Sequence, residues 1–223
     1  MNPLPTLPPP PPDPMADPTH EAASPWNLPN ALTTARILLV PVFGSLLLSD
    51  EGTNVTQRFA ALGVFLVAML TDRIDGDIAR SRGLVTDLGK ILDPIADKAL
   101  LGMAFVGLSI IGLVPWWITV LVLAREVGVT AVRFVVIRHG VMPAGRGGKV
   151  KTFAQAVALS LLVLPTWVLP GASAWRWAAY AVLTAAVLIT VVTGIDYLHK
   201  AHRLRRSSPR ALAKRAARET RPR

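Results

Sequence analysis

The chain of 223 residues contains no cysteine. Disulfides, thiolate nucleophiles and cysteine-ligated zinc are therefore excluded. Its four histidines are scattered and form no helical pair, so a histidine-built zinc site is not expected. No internal repeat is evident. The amphipathic pattern of a soluble helical domain, with one polar face per helix, is also missing. The first 25 residues lack a basic start and an apolar centre, so they do not read as a signal peptide.

What is present is apolar. Hydrophobic residues make up 52% of the chain and the mean hydropathy is +0.44. These residues gather into repeated runs of about 18 or more, enough to cross a bilayer as helices. Six spans are predicted, over Asn30–Leu48, Gln57–Ala79, Leu88–Ile111, Val114–Ile137, Thr152–Leu169 and Ala174–Leu198. The expected fold is all-α, an integral membrane bundle of six transmembrane helices forming one domain over residues 26–199. Residues 1–25, with the proline run Pro8–Pro12, read as disordered or polyproline II. Residues 200–223 read as a basic cytosolic tail.

The formal net charge is +10, and it is concentrated. From Lys200 to Arg223 there are ten Lys or Arg and one acid, Glu219. Such a tail fits a solvated segment or one resting on anionic lipid headgroups. Nucleic acid is not an expected partner, because aromatic residues do not interleave with these charges. Other basic residues lie between the second and third spans (Arg80, Arg82, Lys90) and between the fourth and fifth (Arg138, Arg146, Lys149, Lys151). The opposite face offers only Arg58 and Arg176. The positive-inside rule then places both termini and both basic loops in the cytosol.

Against this background Asp72, Asp75, Asp93 and Asp97 stand out, all within a 26-residue stretch. Carboxylates at the membrane end of apolar helices are expensive. The second and third spans form a hairpin turning near Gly83, with Thr86 as the expected N-cap. Asp72 lies about 12 Å of helix before Arg80, and Asp93 about 10 Å beyond Thr86, so the four carboxylates share a height in the cytosolic half. Asp72 and Asp75 share one helix face, and Asp93 and Asp97 share a face of its partner. Facing anions repel unless cations bind between them. All-oxygen donors suit Mg²⁺ or Mn²⁺, and two ions would clamp a phosphoanhydride. Gly76, Ala79 and Gly89 interleave with these acids and leave room for a ligand against helix backbone, although small residues also let membrane helices pack closely. Arg80 is suited to pairing with a phosphate.

Further polar residues interrupt the apolar spans. Asn30, Thr33 and Arg36 recur every three residues as a stripe on the first span, serving either the site or an interfacial anchor. Arg125, Glu126 and Arg133 break the fourth span, and a Glu126–Arg133 ion pair that fixes packing is one reading of them. Lys149 and Lys151 follow Gly147-Gly148 beside the cytosolic mouth, where they would attract an anionic acceptor.

The pattern Asp72-x2-Asp75-Gly76-x2-Ala79-Arg80-x8-Gly89-x3-Asp93-x3-Asp97 resembles the signature of the CDP-alcohol phosphotransferases at every fixed position. The resemblance implies six-helix membrane enzymes, usually homodimers, that use Mg²⁺ or Mn²⁺ and transfer a phosphatidyl-type group from a CDP-linked donor to an alcohol, releasing CMP. By that resemblance Asp72, Asp75 and Asp93 ligate metal. Asp97 contributes to a second metal and acts as base on the attacking hydroxyl. Gly76, Ala79, Arg80 and Gly89 line the CDP pocket, together with Asp72 and with Asn30 and Thr33 of the first span. Asn27-x-Pro29-Asn30-x-Leu32-Thr33-x2-Arg36, Leu92–Lys98, Arg125-Glu126, and Gly148–Thr152 with Gln155 are similar to one branch of the family. That branch uses CDP-diacylglycerol as donor and sn-glycerol 3-phosphate as acceptor. Arg125, Arg133, Lys149 and Lys151 would then meet the acceptor phosphate. The implied setting is the inner membrane of a bacterial cell, with the site on the cytosolic side.

The aspartate motif admits rival readings. Phosphatidylinositol-phosphate synthases and CDP-diacylglycerol-dependent cardiolipin synthases share the aspartate motif. A divalent-cation transporter would also need intramembrane acids, although transporters favour the bilayer midplane and repeated halves.

Overall fold

The computed structural model describes residues 27–81, 86–136 and 146–207. The Pro-rich segment 1–25 and the last residues of the basic tail lie outside them. So do the side chains of Asp75, Ala79, Arg80, Arg133 and Lys149.

Six long helices run in order: α1 (Leu28–Leu48), α2 (Val55–Ser81), α3 (Asp87–Ile110), α4 (Trp116–Val136), α5 (Arg146–Val163) and α6 (Ala172–Ser207). No strand occurs among the described residues. Three helical stretches are long and apolar enough to cross a membrane by themselves: Leu28–Gly52, Val55–Asp72 and Ala172–Ala201. The remaining helices fall short for a shared reason. In α3 the acids and lysines up to Lys98 leave only Ala99–Ile110 as apolar helix, about 18 Å. In α4 the run is broken by Arg125-Glu126, and in α5 the apolar part is Val150–Val163. The residues that spoil these helices as independent spans are the ones singled out as site candidates.

Helix boundaries follow local chemistry. The Asn27 side chain caps α1 by accepting from the Asn30 amide at 3.0 Å. Thr86 caps α3, its hydroxyl accepting from the Gly89 amide at 3.0 Å, as the sequence predicts. Between α1 and α2 three successive residues, Asp50, Glu51 and Gly52, take positive φ of 48, 55 and 76° and fold the chain back. Only the last is a glycine, so this turn is strained. The Asp50 carboxylate answers by accepting from Asn54 Nδ2 at 2.9 Å. The helical segment of α5 begins at Arg146, earlier than the expected Thr152, and so takes in the Gly147–Lys151 stretch that reads as loop in the sequence. Two adjacent glycines hide the helix start because they disfavour helix intrinsically. At the other end α6 continues through Ser207, past the expected tail boundary, and its 36 residues span about 54 Å, longer than a bilayer's apolar core of about 30 Å.

α1 packs against α2 and α3, and α6 packs against α4 and α5. The core between them holds Phe43, Leu47, Phe65, Leu100, Phe105, Leu108, Leu159 and Leu183. The rings of Phe43 and Phe65 lie 5.5 Å apart. Close approach of α1 and α3 depends on Gly107, where an added Cβ would stand 2.7 Å from Leu47 Cδ2. Polar pairs tie helices within the apolar interior, with Ser109 and Thr119 hydroxyls 2.6 Å apart. Outward faces carry exposed Leu38, Leu70, Val120, Leu188 and Val192, the pattern of a surface solvated by lipid.

The two ends of the bundle differ. All five described tryptophans, at 116, 117, 167, 175 and 177, are exposed and sit at the end where α4 and α6 begin. Amphipathic indole rings collect at membrane–water interfaces. The aspartate-bearing ends of α2 and α3 lie at the other end.

Candidate active site

The inner wall of the site is the polar stripe of α1. Asn30, Thr33 and Arg36 are 6%, 1% and 1% exposed, so they do not anchor the helix to a surface. Each reaches across to a residue of the aspartate hairpin. Asn30 Nδ2 donates to Thr86 Oγ1 at 2.8 Å, and the Thr86 hydroxyl lies 3.1 Å from Asn30 Oδ1. Thr33 Oγ1 donates to Asp93 Oδ1 at 2.7 Å. The Arg36 guanidinium forms an ion pair with Asp72. A buried guanidinium needs such a partner, since leaving it alone would cost several kcal/mol. One helix face thus sets the positions of two carboxylates on two other helices.

Gly89 belongs to the same contact. A Cβ there would stand 2.7 Å from Asn30 Oδ1 and 3.2 Å from Thr86 Oγ1. Its missing side chain is therefore needed to seat Asn30 and the α3 cap. Gly76 is half-buried on α2.

Access differs among the acids. The Asp72 side chain is 41% exposed, Asp93 is exposed, and Asp97 is half-buried. Asp97 lies within electrostatic reach of Asp72 of α2, Glu126 of α4 and Lys151 of α5, besides its neighbour Lys98. It thereby joins the aspartate hairpin to α4 and α5. The donors are all hard oxygens at a polar end of the bundle, a set that suits a divalent cation such as Mg²⁺. Among the described residues no three acidic or histidine side chains form a closed metal cage; the side chains of Asp75, Asp77 and Asp87 are outside that description.

The opposite wall comes from α4, α5 and α6. Lys151 is buried in α5 and donates to Glu126 of α4. Glu126 also accepts from Arg125 Nη1 at 3.3 Å. The described partners of Glu126 are therefore Lys151 and Arg125; the Glu126–Arg133 pair the sequence suggests involves a side chain outside the description. Arg125 in turn donates from Nη2 to Thr193 Oγ1 at 3.2 Å, and its stem lies where a Cβ on Gly194 would be, 3.2 Å from Arg125 Cγ. Gln155, buried in α5, donates to Thr190 Oγ1 at 3.1 Å. Its carbonyl oxygen is buried without a hydrogen-bond partner among the described residues. Lys98, Glu126 and Gln155 border a cavity of about 260 Å³ whose other walls, Leu101, Phe105, Val122 and Leu123 among them, are apolar. Polar chemistry and an apolar recess therefore adjoin at this end.

Sequence reasoning did not give Arg36, Glu126, Gln155 or Thr193 these places. Their signal was a polar side chain at a position where the helical period demands an apolar one.

An all-helical, lipid-facing bundle with paired carboxylates and buried cations at one polar end defines a class. The chain belongs to the CDP-alcohol phosphatidyltransferase family, whose model matches residues 26–193, and it is an enzyme of that class. The reading as an ion transporter is thereby set aside. Similar proteins narrow the comparison. A probable phosphatidylglycerophosphate synthase of Mycobacterium tuberculosis is 49% identical over 177 residues, 79% of this chain and 82% of that protein. The CDP-diacylglycerol–glycerol-3-phosphate 3-phosphatidyltransferase of Bacillus subtilis is 39% identical over 186 residues, 78% of this chain and 95% of that protein. The CMP-forming cardiolipin synthase of Rattus norvegicus is 40% identical over 132 residues, 59% of this chain and 41% of that protein.

Proposed function

We propose that the protein transfers the phosphatidyl group of CDP-diacylglycerol to sn-glycerol 3-phosphate, yielding phosphatidylglycerophosphate and CMP. The observation that carries this reading is the meeting at one polar end of two different groups. One is the carboxylate hairpin held by Asn30, Thr33 and Arg36; the other is the cationic wall of Arg125 and Lys151. The first suits a diphosphate bound through divalent cations, and the second suits an acceptor that itself bears a phosphate. The relatives named for this reaction cover most of the chain.

Asp72, Asp75, Asp93 and Asp97 would hold Mg²⁺ or Mn²⁺, two ions in the full site, which when bound would neutralise the diphosphate and make CMP a better leaving group. The chain's own residues do the rest. Asp97, between the hairpin and the cationic wall, takes the proton of the acceptor hydroxyl as that oxygen attacks the β-phosphorus of the donor. The bond to the CMP oxygen breaks, and CMP leaves with that electron pair. Asn30, Thr33, Gly76, Ala79, Arg80 and Gly89 frame the donor headgroup. Arg125, Arg133, Lys149 and Lys151 orient the acceptor phosphate, and Glu126 keeps Lys151 in place. The apolar recess beside Gln155 lets lipid chains remain in hydrocarbon.

In this reading all six helices cross the membrane, the charged residues of α3, α4 and α5 being turned into the bundle or toward the cytosol. The setting is the inner membrane of a bacterial cell, with site and termini cytosolic, and the protein is a homodimer. The test is CMP release by purified protein given CDP-diacylglycerol, Mg²⁺ and a panel of acceptors. Release with glycerol 3-phosphate is expected. Release only with inositol 1-phosphate or with phosphatidylglycerol would replace this acceptor by those of the rival branches.

A further inference from the structure

The bundle end opposite the aspartates brings two arginines to one cavity. Positive residues are scarce there: among the described residues of that end only Arg58 and Arg176 are basic. They belong to α2 and α6, yet both border one cavity of about 230 Å³. Its polar lining adds the hydroxyl-bearing Thr166, Ser173 and Tyr180, and no carboxylate lines it.

Arg58 is buried at 1% exposure and has no acidic partner among the described residues. It is fixed in place by carbonyls. Nε donates to Val163 O at 2.8 Å, Nη2 to Leu162 O at 2.6 Å and Nη1 to Gly52 O at 3.4 Å. Its guanidinium carbon lies 5.2 Å from the centre of the Trp167 ring. These contacts hold the cation and leave its charge only partly offset by the negative end of α5. Arg176, exposed in the first turns of α6, makes no ion pair either among the described residues. The acids of this end, Asp50 and Glu51, lie in the α1–α2 turn, do not line the cavity and form no ion pair with Arg58 or Arg176 among the described residues. Two cations therefore border one cavity without a carboxylate in it, an arrangement that favours a bound anion. Trp167 lines the cavity, and the exposed indoles of Trp116, Trp175 and Trp177 at the same end mark the headgroup layer.

We infer that this cavity binds the phosphate of an anionic phospholipid headgroup from the leaflet opposite the catalytic site. Arg176 is the exposed cation that reaches it, and Arg58 is the fixed charge behind it. The space holds several waters' worth of volume, each about 30 Å³, which is headgroup scale. A net negative headgroup is preferred over a zwitterionic one because the lining offers no carboxylate for an amine. The inference does not depend on the acceptor assigned above.

The experiment is thermal unfolding of the full chain in neutral detergent micelles, titrated with dioleoyl phosphatidylglycerol, dioleoyl phosphatidylcholine or inorganic phosphate. Wild type, Arg176→Ala and Arg176→Lys are compared; Arg176 is exposed, so its replacement leaves the fold intact. Wild type should be stabilised by the glycerol lipid at lower concentration than by the choline lipid. Arg176→Ala should weaken that response about ten-fold, the worth of one charge-assisted contact, and Arg176→Lys should recover part of it. Identical titrations for wild type and Arg176→Ala would overturn the site. An equal, Arg176-dependent response to inorganic phosphate would overturn the lipid assignment in favour of a free anion.

Discussion

The Glu126–Lys151 pair gives the sharpest energetic prediction. The two side chains are 18% and 6% exposed and join α4 to α5. Replacing Glu126 by Gln keeps the shape and removes the carboxylate hydrogen-bonded to the buried ammonium of Lys151, leaving Asp97 as the acid still within electrostatic reach. Breaking such a pair costs about 3–5 kcal/mol. Gln retains an acceptor oxygen, so about 3 kcal/mol is expected, or a fall in Tm of roughly 6–12 °C for a chain of this length. Lys151→Met removes the ammonium and leaves Glu126 with Arg125 at 3.3 Å, costing about 1–2 kcal/mol. The double variant should then cost about 2 kcal/mol, less than the sum of the two by about 2–3 kcal/mol, because no buried ammonium remains at position 151 to be stranded. Reversible unfolding of the four proteins in micelles measures this cycle. Additivity within about 0.5 kcal/mol would refute the pairing as a coupled contact.

Three other outcomes follow from the geometry. Arg58→Ala removes the guanidinium that holds the last carbonyls of α5 and should destabilise by about 2–4 kcal/mol; an unchanged Tm would sink that role. Gly89→Ala puts a methyl 2.7 Å from Asn30 Oδ1 and should break the Asn30–Thr86 contact. About 1–3 kcal/mol of stability and at least ten-fold in CMP release should be lost, and normal turnover would mean that α1 does not position the hairpin. Asp97→Asn should lower CMP release by about 10²–10⁴-fold while CDP-diacylglycerol binding, measured by equilibrium dialysis, changes little; undiminished turnover removes Asp97 as the base.

Much of the site's composition was legible in the primary structure, because a carboxylate or guanidinium inside an apolar run has few tolerable explanations. The Thr86 cap was legible for a similar reason: it depends on a hydroxyl three residues before the amide it accepts from. The start of α5 was not, since Gly147-Gly148 disfavours helix locally, and the pairing of Lys151 with Glu126 of α4, distant in sequence, helps to hold that turn. Gly89 read as room for a ligand. The fold shows that Asn30, far away in sequence, occupies that room.

The sequence by itself determined the helical, apolar character of the segments and the family, since long apolar runs and fixed acid spacing are local properties of the chain. Only the tertiary structure decided which charge neutralises which. Arg36 went to Asp72, Lys151 to Glu126 and Arg58 to the carbonyl end of α5. Those choices join helices distant in sequence, and in a low-dielectric interior the energy of a charge depends on what lies within a few ångströms of it, which no local pattern encodes.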